Sequence, residues 1–284
     1  MKQQLFLSRL LSLFIIHVSL FFISSCTNPV GDHHPEWKKY FDEYQVTGCI
    51  AIYDLKQAKF IDYNPDRCAQ RFIPASTFKI FNSLVGLEIK VIPDENYVIK
   101  WDSVVHPIAS WNHDQSMKEA IKNSTVWYYQ EVARRIGEEK MQQYLNLLSY
   151  GNRRMGSTID SFWLNGDLRI SCDEQIEFIK NLRTEQLQVS KRAMRIVKNI
   201  LVIDSTSTYK LSGKTGWGIM QDETTEGKRL NIGWFVGYVE KGSDAYFFAT
   251  KIESPDPAPE NFAEARKKIT ENILLELGII GSGE

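Results

Sequence analysis

The sequence predicts an α/β protein of the α+β type, with a mixed, mainly antiparallel sheet flanked by helices. Strand-like segments lie near the start of the chain, at "GCIAIYDL" and "KFIDYN", and return near its end, at "STYKLSGKTGWG", "LNIGWFVGYVE" and "DAYFFATKIE". The stretch between them, roughly residues 90–201, has the pattern of helices instead. One sheet built from both chain ends, with an inserted all-helical lobe, accounts for this order.

The first 25 residues predict a signal peptide. Lys2 and Arg9 precede an apolar stretch that runs from Leu10 to Ile23, and small residues follow before Cys26. The apolar stretch is shorter than the roughly 20 residues of a spanning helix. The ending "ISSC" resembles a bacterial lipobox, which favours lipid attachment to Cys26 over a plain secretion signal.

Cleavage before Cys26 would leave residues 26–34 as a tether and residues 35–284 as one domain. We therefore expect an exported, periplasmic protein that is anchored to the membrane as a lipoprotein. The formal net charge of −1, without long basic or acidic blocks, argues against nucleic acid as a partner. No His, Cys and Asp spacing typical of zinc is present, so no metal is expected.

Three cysteines remain after Cys26 is set aside, namely Cys49, Cys68 and Cys172. An odd number in an exported chain leaves at least one free thiol. Cys49 and Cys68 flank the first predicted hairpin and could form a disulfide. The alternative is three buried small side chains, and the sequence leaves both open.

Helices are predicted where apolar residues recur at helical spacing. Aromatic residues at positions 37, 40, 41 and 44 indicate a first helix. Residues 77–88 are apolar on almost every side, which predicts a buried helix. The lobe has helical segments at "SMKEAIKNSTVWYYQEVARRIG", "EEKMQQYLNLLSY", "DEQIEFIKNLRTEQ" and "KRAMRIVKNILV". A last helix carries Phe262, Ile269, Ile273 and Leu277 on one face.

Ser76 and Lys79 open the buried helix and face the same side of it, because they are three residues apart. A serine is a weak nucleophile until a base takes its proton, and a desolvated, neutral lysine can be that base. An N-terminal serine with a lysine that reaches solvent is the structural alternative. The motif alone does not decide between the two.

Two later motifs add to this pair. Ser124 and Val126 lie in "NSTVWYY", within a helical segment. Lys214, Thr215 and Gly216 end a strand-like run, where a lysine and a hydroxyl can bind a carboxylate and a glycine lets a ligand approach the backbone. An ordinary hairpin turn is the alternative, but the three motifs in this order are far more specific than any one.

The chain resembles the class D serine β-lactamases, or oxacillinases. The resemblance covers almost the whole chain after the leader and rests on motifs in family order: "PASTFK", "STV", "YGN", "FWLNGDLRIS", "KTG", "GWFVG" and "ARKKI". It implies a β-lactamase/transpeptidase-like fold over residues 35–284 and hydrolysis of the β-lactam ring of penicillin-type antibiotics, with a role in antibiotic resistance. No cofactor is implied beyond carbon dioxide or bicarbonate, and the oligomer would be a monomer or homodimer.

The resemblance also implies catalytic roles. Ser76 would be the acylated nucleophile, and Lys79 would react with carbon dioxide to become an N-carboxylated base. Ser124 would relay a proton to the leaving nitrogen, and Trp163 would hold the carbamate through its indole N–H. Val126 would belong to the apolar wall around the lysine.

Substrate binding is implied for the end of the "KTG" strand and the last helix. Lys214 and Thr215, together with Arg266, would bind the substrate carboxylate, with Gly216 beside them. The backbone N–H groups of Ser76 and Trp217 would form the oxyanion hole. For Arg266, the structural alternative is a solvated charge.

Four further residues are assigned lesser parts. Tyr150 and Asn152 are expected to support the loop that carries Trp163. Trp111 is expected at the rim of the pocket, packed on substrate. Asn165 replaces an acidic residue that is common in the family, which affects loop contacts and no catalytic assignment.

Two other functions compete with hydrolysis. Related sensor domains share the serine–lysine and "KTG" motifs but stay acylated, and they follow several membrane spans, which the single leader argues against. Cell-wall transpeptidases usually carry an asparagine where Val126 stands, and often extra domains. A β-lactam-sensing or penicillin-binding domain without efficient turnover is therefore the alternative to a β-lactamase.

Overall fold

The main sheet draws strands from both ends of the chain, as the sequence predicts. The computed structural model describes residues 31–221 and 227–281. The strands of the main sheet are β1 (Asp32–His33), β2 (Thr47–Asp54), β3 (Lys59–Tyr63), β6 (Val202–Ser205), β7 (Lys210–Gln221), β8 (Arg229–Lys241) and β9 (Asp244–Pro255). Their order is β1-β3-β2-β9-β8-β7-β6, and only the β1–β3 pair is parallel. The predicted fold class is confirmed.

Helices fill the middle of the chain, and others lie near both of its ends. They are α1 (Lys38–Glu43), α2 (Pro65–Cys68), α3 (Phe78–Glu88), α4 (Met117–Lys122), α5 (Val126–Ile136), α6 (Glu138–Leu147), α7 (Cys172–Arg183), α8 (Lys191–Ile200) and α9 (Phe262–Glu276). The predicted helical lobe contains α4 to α8. It also contains one short pair of strands that the sequence did not predict, β4 (Val98–Ile99) and β5 (Gln115–Ser116).

Local sequence explains where the lobe helices begin. Ser116 caps α4 and Ser171 caps α7, and each serine accepts from the backbone N–H of a glutamate three residues on. The same glutamates, Glu119 and Glu174, accept from the backbone of the capping serines, which completes a capping box at both sites. The long helical segment predicted around Ser124 is interrupted between α4 and α5, so Ser124 lies in a loop.

The described residues form two apolar cores against the sheet. One contains Trp37 and Phe41 from the start of the chain, with Phe262, Ile269 and Ile273 of α9. The other contains the helical lobe and α3, in which every residue except Glu88 is buried. The prediction of a helix that is buried all round is confirmed, and it places Lys79 inside a core.

The start of the domain lies slightly earlier than predicted. Asp32 and His33 pair with β3, and Nδ1 of His33 is 2.7 Å from Oδ1 of Asp62. The ring of His34 stacks on Trp37 with 4.3 Å between centroids. The predicted tether therefore overlaps the domain at residues 31–34, while the signal peptide and Cys26 lie outside the described residues.

The disulfide left open for Cys49 and Cys68 is absent. Cys49, Cys68 and Cys172 are free thiols, and all three are buried. The alternative of three buried side chains is the one found. Within the part of the chain that the structure describes, no helix is both long and apolar enough to cross a membrane.

Candidate active site

Ser76 and Lys79 lie side by side in the interior. Ser76 belongs to a 3-10 turn over Ala75–Thr77 that leads directly into α3. Lys79 follows one turn later, and its Nζ donates a hydrogen bond of 2.7 Å to Oγ of Ser76. Lys79 is 0% exposed and Ser76 is 8% exposed. The sequence prediction that the two side chains share a face is confirmed by this contact.

The environment of Lys79 favours a neutral amine. Burial, with a smaller contribution from the charge of Lys214, lowers the pKa of Lys79 well below its usual value. Among the described residues, no carboxylate forms an ion pair with Lys79. A neutral amine at hydrogen-bond distance from a hydroxyl can accept its proton, which an ammonium cannot do.

Trp163 brings an unused donor to the same region. Its side chain is fully buried and stacks on Phe78 at 5.2 Å, and its carbonyl accepts a 3.0 Å bond from the backbone N–H of Ala75. Its Nε1 has no hydrogen-bond partner among the described residues. A buried N–H without an acceptor costs about 1–3 kcal/mol, so this donor indicates a place for an acceptor.

Ser124 and Lys214 form a second polar contact. Ser124 lies between α4 and α5 with a positive φ of 56°, in the left-handed region. Nζ of Lys214 donates to Oγ of Ser124 at 3.0 Å and to the carbonyl of Thr215 at 2.9 Å. Burial, and then the charge of Arg266, lowers the pKa of Lys214 to about 7. Val126 begins α5 two residues later and is half-buried.

Arg266 lies beside the end of the "KTG" motif. Its Nη1 donates to the carbonyl of Gly216 at 2.9 Å, and its buried Nε has no partner among the described residues. Burial lowers the pKa of Arg266 to about 10, so the guanidinium keeps its charge at neutral pH. Arg266 is therefore a cation fixed by a hydrogen bond to Gly216, and its Nε–H is available as a donor. It is not a solvated charge.

Strand β7 runs against the turn that carries Ser76, and glycines make this approach close. A Cβ at Gly216 would lie 3.1 Å from the carbonyl oxygen of Pro74 and 3.3 Å from the backbone nitrogen of Ser76. A Cβ at Gly218 would lie 2.7 Å from Cδ1 of Ile73. Larger residues at these positions would push the strand away from the serine, so the glycines set the width of the site.

A positively charged cavity opens beside this strand. It has a volume of about 450 Å³ and shares Lys214 and Thr215 with the site, and Lys118, Lys122 and Lys267 also line it. The lysine side chains make this side of the site attractive to anions.

Asn152 holds the loop that carries Trp163, as expected, whereas Tyr150 packs on α3. Asn152 donates from Nδ2 to the carbonyl of Asp167 at 2.7 Å and accepts from the backbone N–H of Arg169 at 3.0 Å, which closes the loop between them. Tyr150 packs edge-on against Phe78 at 5.6 Å. The side chain of Asn165 makes no hydrogen bond to the catalytic groups among the described residues.

Trp111 is partly buried at the loop that carries Ser124. Its Nε1 donates to the carbonyl of Asn123 at 3.0 Å, and its own carbonyl accepts from Nε1 of Trp127 at 2.8 Å. The first of these bonds holds the backbone next to Ser124, and the second ties Trp111 to α5. The sequence did not predict the bond from Trp111 to the carbonyl of Asn123. Packing of Trp111 on a substrate stays a prediction.

Sequence reasoning missed two features of the turn that carries Ser76. Ala75 has a positive φ of 48°, which alanine rarely adopts and which no motif indicates. Gln175 of α7 donates from Nε2 to Oγ1 of Thr77 at 2.8 Å, and Oγ1 of Thr77 donates to the carbonyl of Pro74 at 2.7 Å. The signal for Gln175 is absent from the sequence because the two residues lie 98 positions apart.

Known proteins are similar to this chain in both sequence and fold. Residues 39–275 match the family described as the penicillin binding protein transpeptidase domain. The chain is 37% identical over 266 residues to the β-lactamase OXA-5 of Pseudomonas aeruginosa, covering 94% of this chain and 97% of that one.

Solved structures of class D β-lactamases and of a receptor domain are also similar to this chain. A class D β-lactamase, YbXI, from Nostoc is 40% identical, with a TM-score of 0.80 and coverage of 87% of this chain and all of that one. The C-terminal domain of the BlaR penicillin receptor of Bacillus licheniformis is 31% identical, with a TM-score of 0.79 and coverage of 89% and 99%. The chain is thus similar to β-lactamases and to the domain of a penicillin receptor.

Proposed function

The chain belongs to the penicillin-binding protein transpeptidase family and, within it, to the class D β-lactamases, and from this membership we propose that it hydrolyses penicillin-type antibiotics through an acyl-enzyme on Ser76 with a carbamylated Lys79 as general base. The observation that carries the proposal is the 2.7 Å contact between the buried Lys79 amine and Oγ of Ser76. A role in antibiotic resistance follows from the same activity.

The base in this proposal is a modified lysine. The neutral amine of Lys79 attacks carbon dioxide, forms an N–C bond and loses one proton, which leaves an anionic carbamate. Burial supports the first step because it lowers the pKa of Lys79 and so favours the neutral amine. The unpartnered indole N–H of Trp163 supports the product, since it can donate to a carbamate oxygen.

Acylation then uses the groups around Ser76. The carbamate takes the hydroxyl proton as Oγ attacks the ring carbonyl, and the backbone N–H groups of Ser76 and Trp217 stabilise the resulting oxyanion. The C–N bond of the ring breaks, and Ser124 relays the proton taken up by the carbamate to the leaving nitrogen, which returns the carbamate to its anionic form. The contact between Lys214 and Ser124 supports this path. In the second half, the carbamate activates a water that hydrolyses the ester.

The substrate carboxylate is assigned to Lys214, Thr215 and Arg266. Replacing Arg266 with alanine should raise KM for a penicillin about 10- to 100-fold with little change in kcat, because a hydrogen bond to a charged group contributes about 1.5–3 kcal/mol. Steady-state kinetics measure this. Lys268→Ala is the matched control, since Lys268 is exposed on the same helix.

Equal KM values for Arg266→Ala and Lys268→Ala would show that Arg266 has no part in substrate binding. A fall in kcat alone would point to a disturbed Gly216 instead, because Arg266 also holds that carbonyl.

Turnover decides between hydrolysis and the alternative, a β-lactam sensor that stays acylated. The similarity to the BlaR receptor domain is the observation that favours the alternative. Purified protein should hydrolyse the chromogenic substrate nitrocefin over many cycles, and added bicarbonate should increase the rate. A burst of one equivalent per chain without further turnover would favour the sensor.

A further inference from the structure

Three buried cysteines from separate segments converge at one point. Cys49 belongs to β2, Cys68 is the last residue of α2 and Cys172 is the first residue of α7. The three Sγ atoms lie within 4.8 Å of one another, and Sγ of Cys49 lies 3.6 Å from Sγ of Cys172. Each residue is at most 1% exposed. No step of the proposed hydrolysis uses these thiols.

The separations match those of sulfurs that share a metal ion. With metal–sulfur bonds of about 2.3 Å, two sulfurs lie about 3.8 Å apart in a tetrahedral site and about 4.0 Å apart in a trigonal one. The Cys49–Cys172 separation is close to this distance, and the third sulfur needs to move by less than about 1 Å. A disulfide would need about 2.0 Å and would leave one of the three thiols unused.

The composition of the cluster indicates which class of ion fits. Among the described residues, the group contains cysteines alone, without a histidine or carboxylate as a fourth ligand. Structural zinc sites almost always have four protein ligands, whereas thiolates also select the soft ion Cu⁺. A buried site with three sulfurs therefore suits Cu⁺ better than Zn²⁺.

Positive groups beside the cluster offset part of the charge of the thiolates. Lys251 is directly opposite Cys49 in the pairing of β2 with β9, so both side chains lie on the same face of the sheet. The Lys251 ammonium is fully buried and contacts Glu253, which also binds Arg67. Cys172 starts α7, and the N-terminus of a helix favours a thiolate.

The cluster joins segments that position Ser76. Phe72 and Ile170 exchange two backbone hydrogen bonds, of 2.9 and 2.8 Å. Phe72 lies between α2 and the turn of Ser76, and Ile170 lies two residues before Cys172. An ion held by all three cysteines would tie α2 and α7 to β2. Its main effect would be on stability, because it touches none of the reacting groups.

We propose that Cys49, Cys68 and Cys172 form a structural site for one Cu⁺ ion. Each thiol loses its proton to solvent as its bond to the metal forms, so the ion is bound by three thiolates with no change of oxidation state. The proposal is independent of the hydrolytic activity.

The test is a titration of the full chain with Cu⁺ under anaerobic, reducing conditions, in competition with the chelator bathocuproine disulfonate. We expect one ion per chain and an absorption spectrum at the copper edge that reports three sulfur ligands. The midpoint of thermal unfolding should rise by about 5 °C when free Cu⁺ is about 100 times Kd. Nitrocefin turnover should change little.

Single variants locate the site. Cys49→Ser, Cys68→Ser and Cys172→Ser should each lose the competition-resistant ion, whereas Cys26→Ser should keep it. Retention of the ion in the three variants, or its loss in Cys26→Ser, would overturn the proposal. If a variant does not fold, the wild-type spectrum decides, since two sulfurs or fewer would overturn it. A disulfide among these cysteines in the unreduced chain, found by mass spectrometry, would also overturn it.

Discussion

Replacing Lys79 with alanine is expected to lower β-lactam turnover about 10³- to 10⁴-fold and to remove its response to bicarbonate. Lys79 is the group whose Nζ contacts Oγ of Ser76, and loss of a general base typically costs about 10²- to 10⁴-fold. We expect a loss in the upper part of this range because the same base acts in both acylation and deacylation. Nitrocefin hydrolysis with and without bicarbonate measures both effects.

Ser83→Ala is a suitable control for Lys79→Ala. Ser83 lies four residues further along α3, is equally buried and bonds to the hydroxyl of Tyr129 at 2.8 Å. The variant therefore disturbs the core of α3 without touching Ser76, and it should keep its response to bicarbonate. If Lys79→Ala retained turnover that rises with bicarbonate, a carbamate at another lysine would be required.

The pKa of Lys79 also predicts the pH dependence. Carbon dioxide reacts with the neutral amine, and burial lowers the pKa of Lys79 well below its usual value, which favours this form. As the pH falls through that lowered pKa, the amine becomes protonated and the carbamate is lost, so activity should fall on the acid side. Added bicarbonate should restore activity above the pKa more effectively than below it.

Residues 77–88 show what the sequence alone can predict, because the pattern of side chains in this segment indicates a buried helix. A stretch that is apolar on almost every side is stable only as a buried helix, but this pattern leaves open whether Lys79, near its start, lies in the core or reaches solvent. The alternating segments near both chain ends likewise predict β2, β7, β8 and β9. In each case the pattern of side chains along a single element carries the information.

The remaining features depend on contacts between distant segments. The positive φ of Ala75 follows from its packing between the carbonyl of Trp163 and strand β7, and alanine has no local preference for that conformation. Cys49 and Cys68 are close in sequence, which makes them the natural pair to consider. The sulfur of Cys49 lies 3.6 Å from that of Cys172, a residue 123 positions away, which spacing cannot indicate.

The assignment of Trp163 combines the sequence resemblance with the hydrogen bonding seen in the structure. Its role is implied by the resemblance to the class D family, since a tryptophan in an apolar segment is more simply a core residue. The structure shows a core residue too, stacked on Phe78. Trp163 differs from other core tryptophans because its Nε1 has no acceptor among the described residues. By contrast, the indole N–H of Trp37 donates to Glu276. That of Trp234 donates to the carbonyl of Ile73.

Replacing Trp163 with phenylalanine should therefore slow deacylation more than acylation. Phenylalanine keeps an aromatic ring against Phe78 but removes the donor, and loss of one such donor in an active site typically costs about 10²- to 10³-fold. The carbamate would bind less firmly, so more bicarbonate would be needed for half-maximal activity. The acyl-enzyme should accumulate and be visible by mass spectrometry of the intact protein.

Trp163→Ala serves as the comparison, because it removes both the donor and the packing. If packing alone matters, Trp163→Phe should behave like the wild-type protein and only Trp163→Ala should be impaired. If the donor matters, both variants should accumulate acyl-enzyme, and high bicarbonate should rescue Trp163→Phe further than Trp163→Ala, which also loses the packing against Phe78. Absence of accumulated acyl-enzyme in both variants would remove Trp163 from the mechanism and leave its buried N–H without a function.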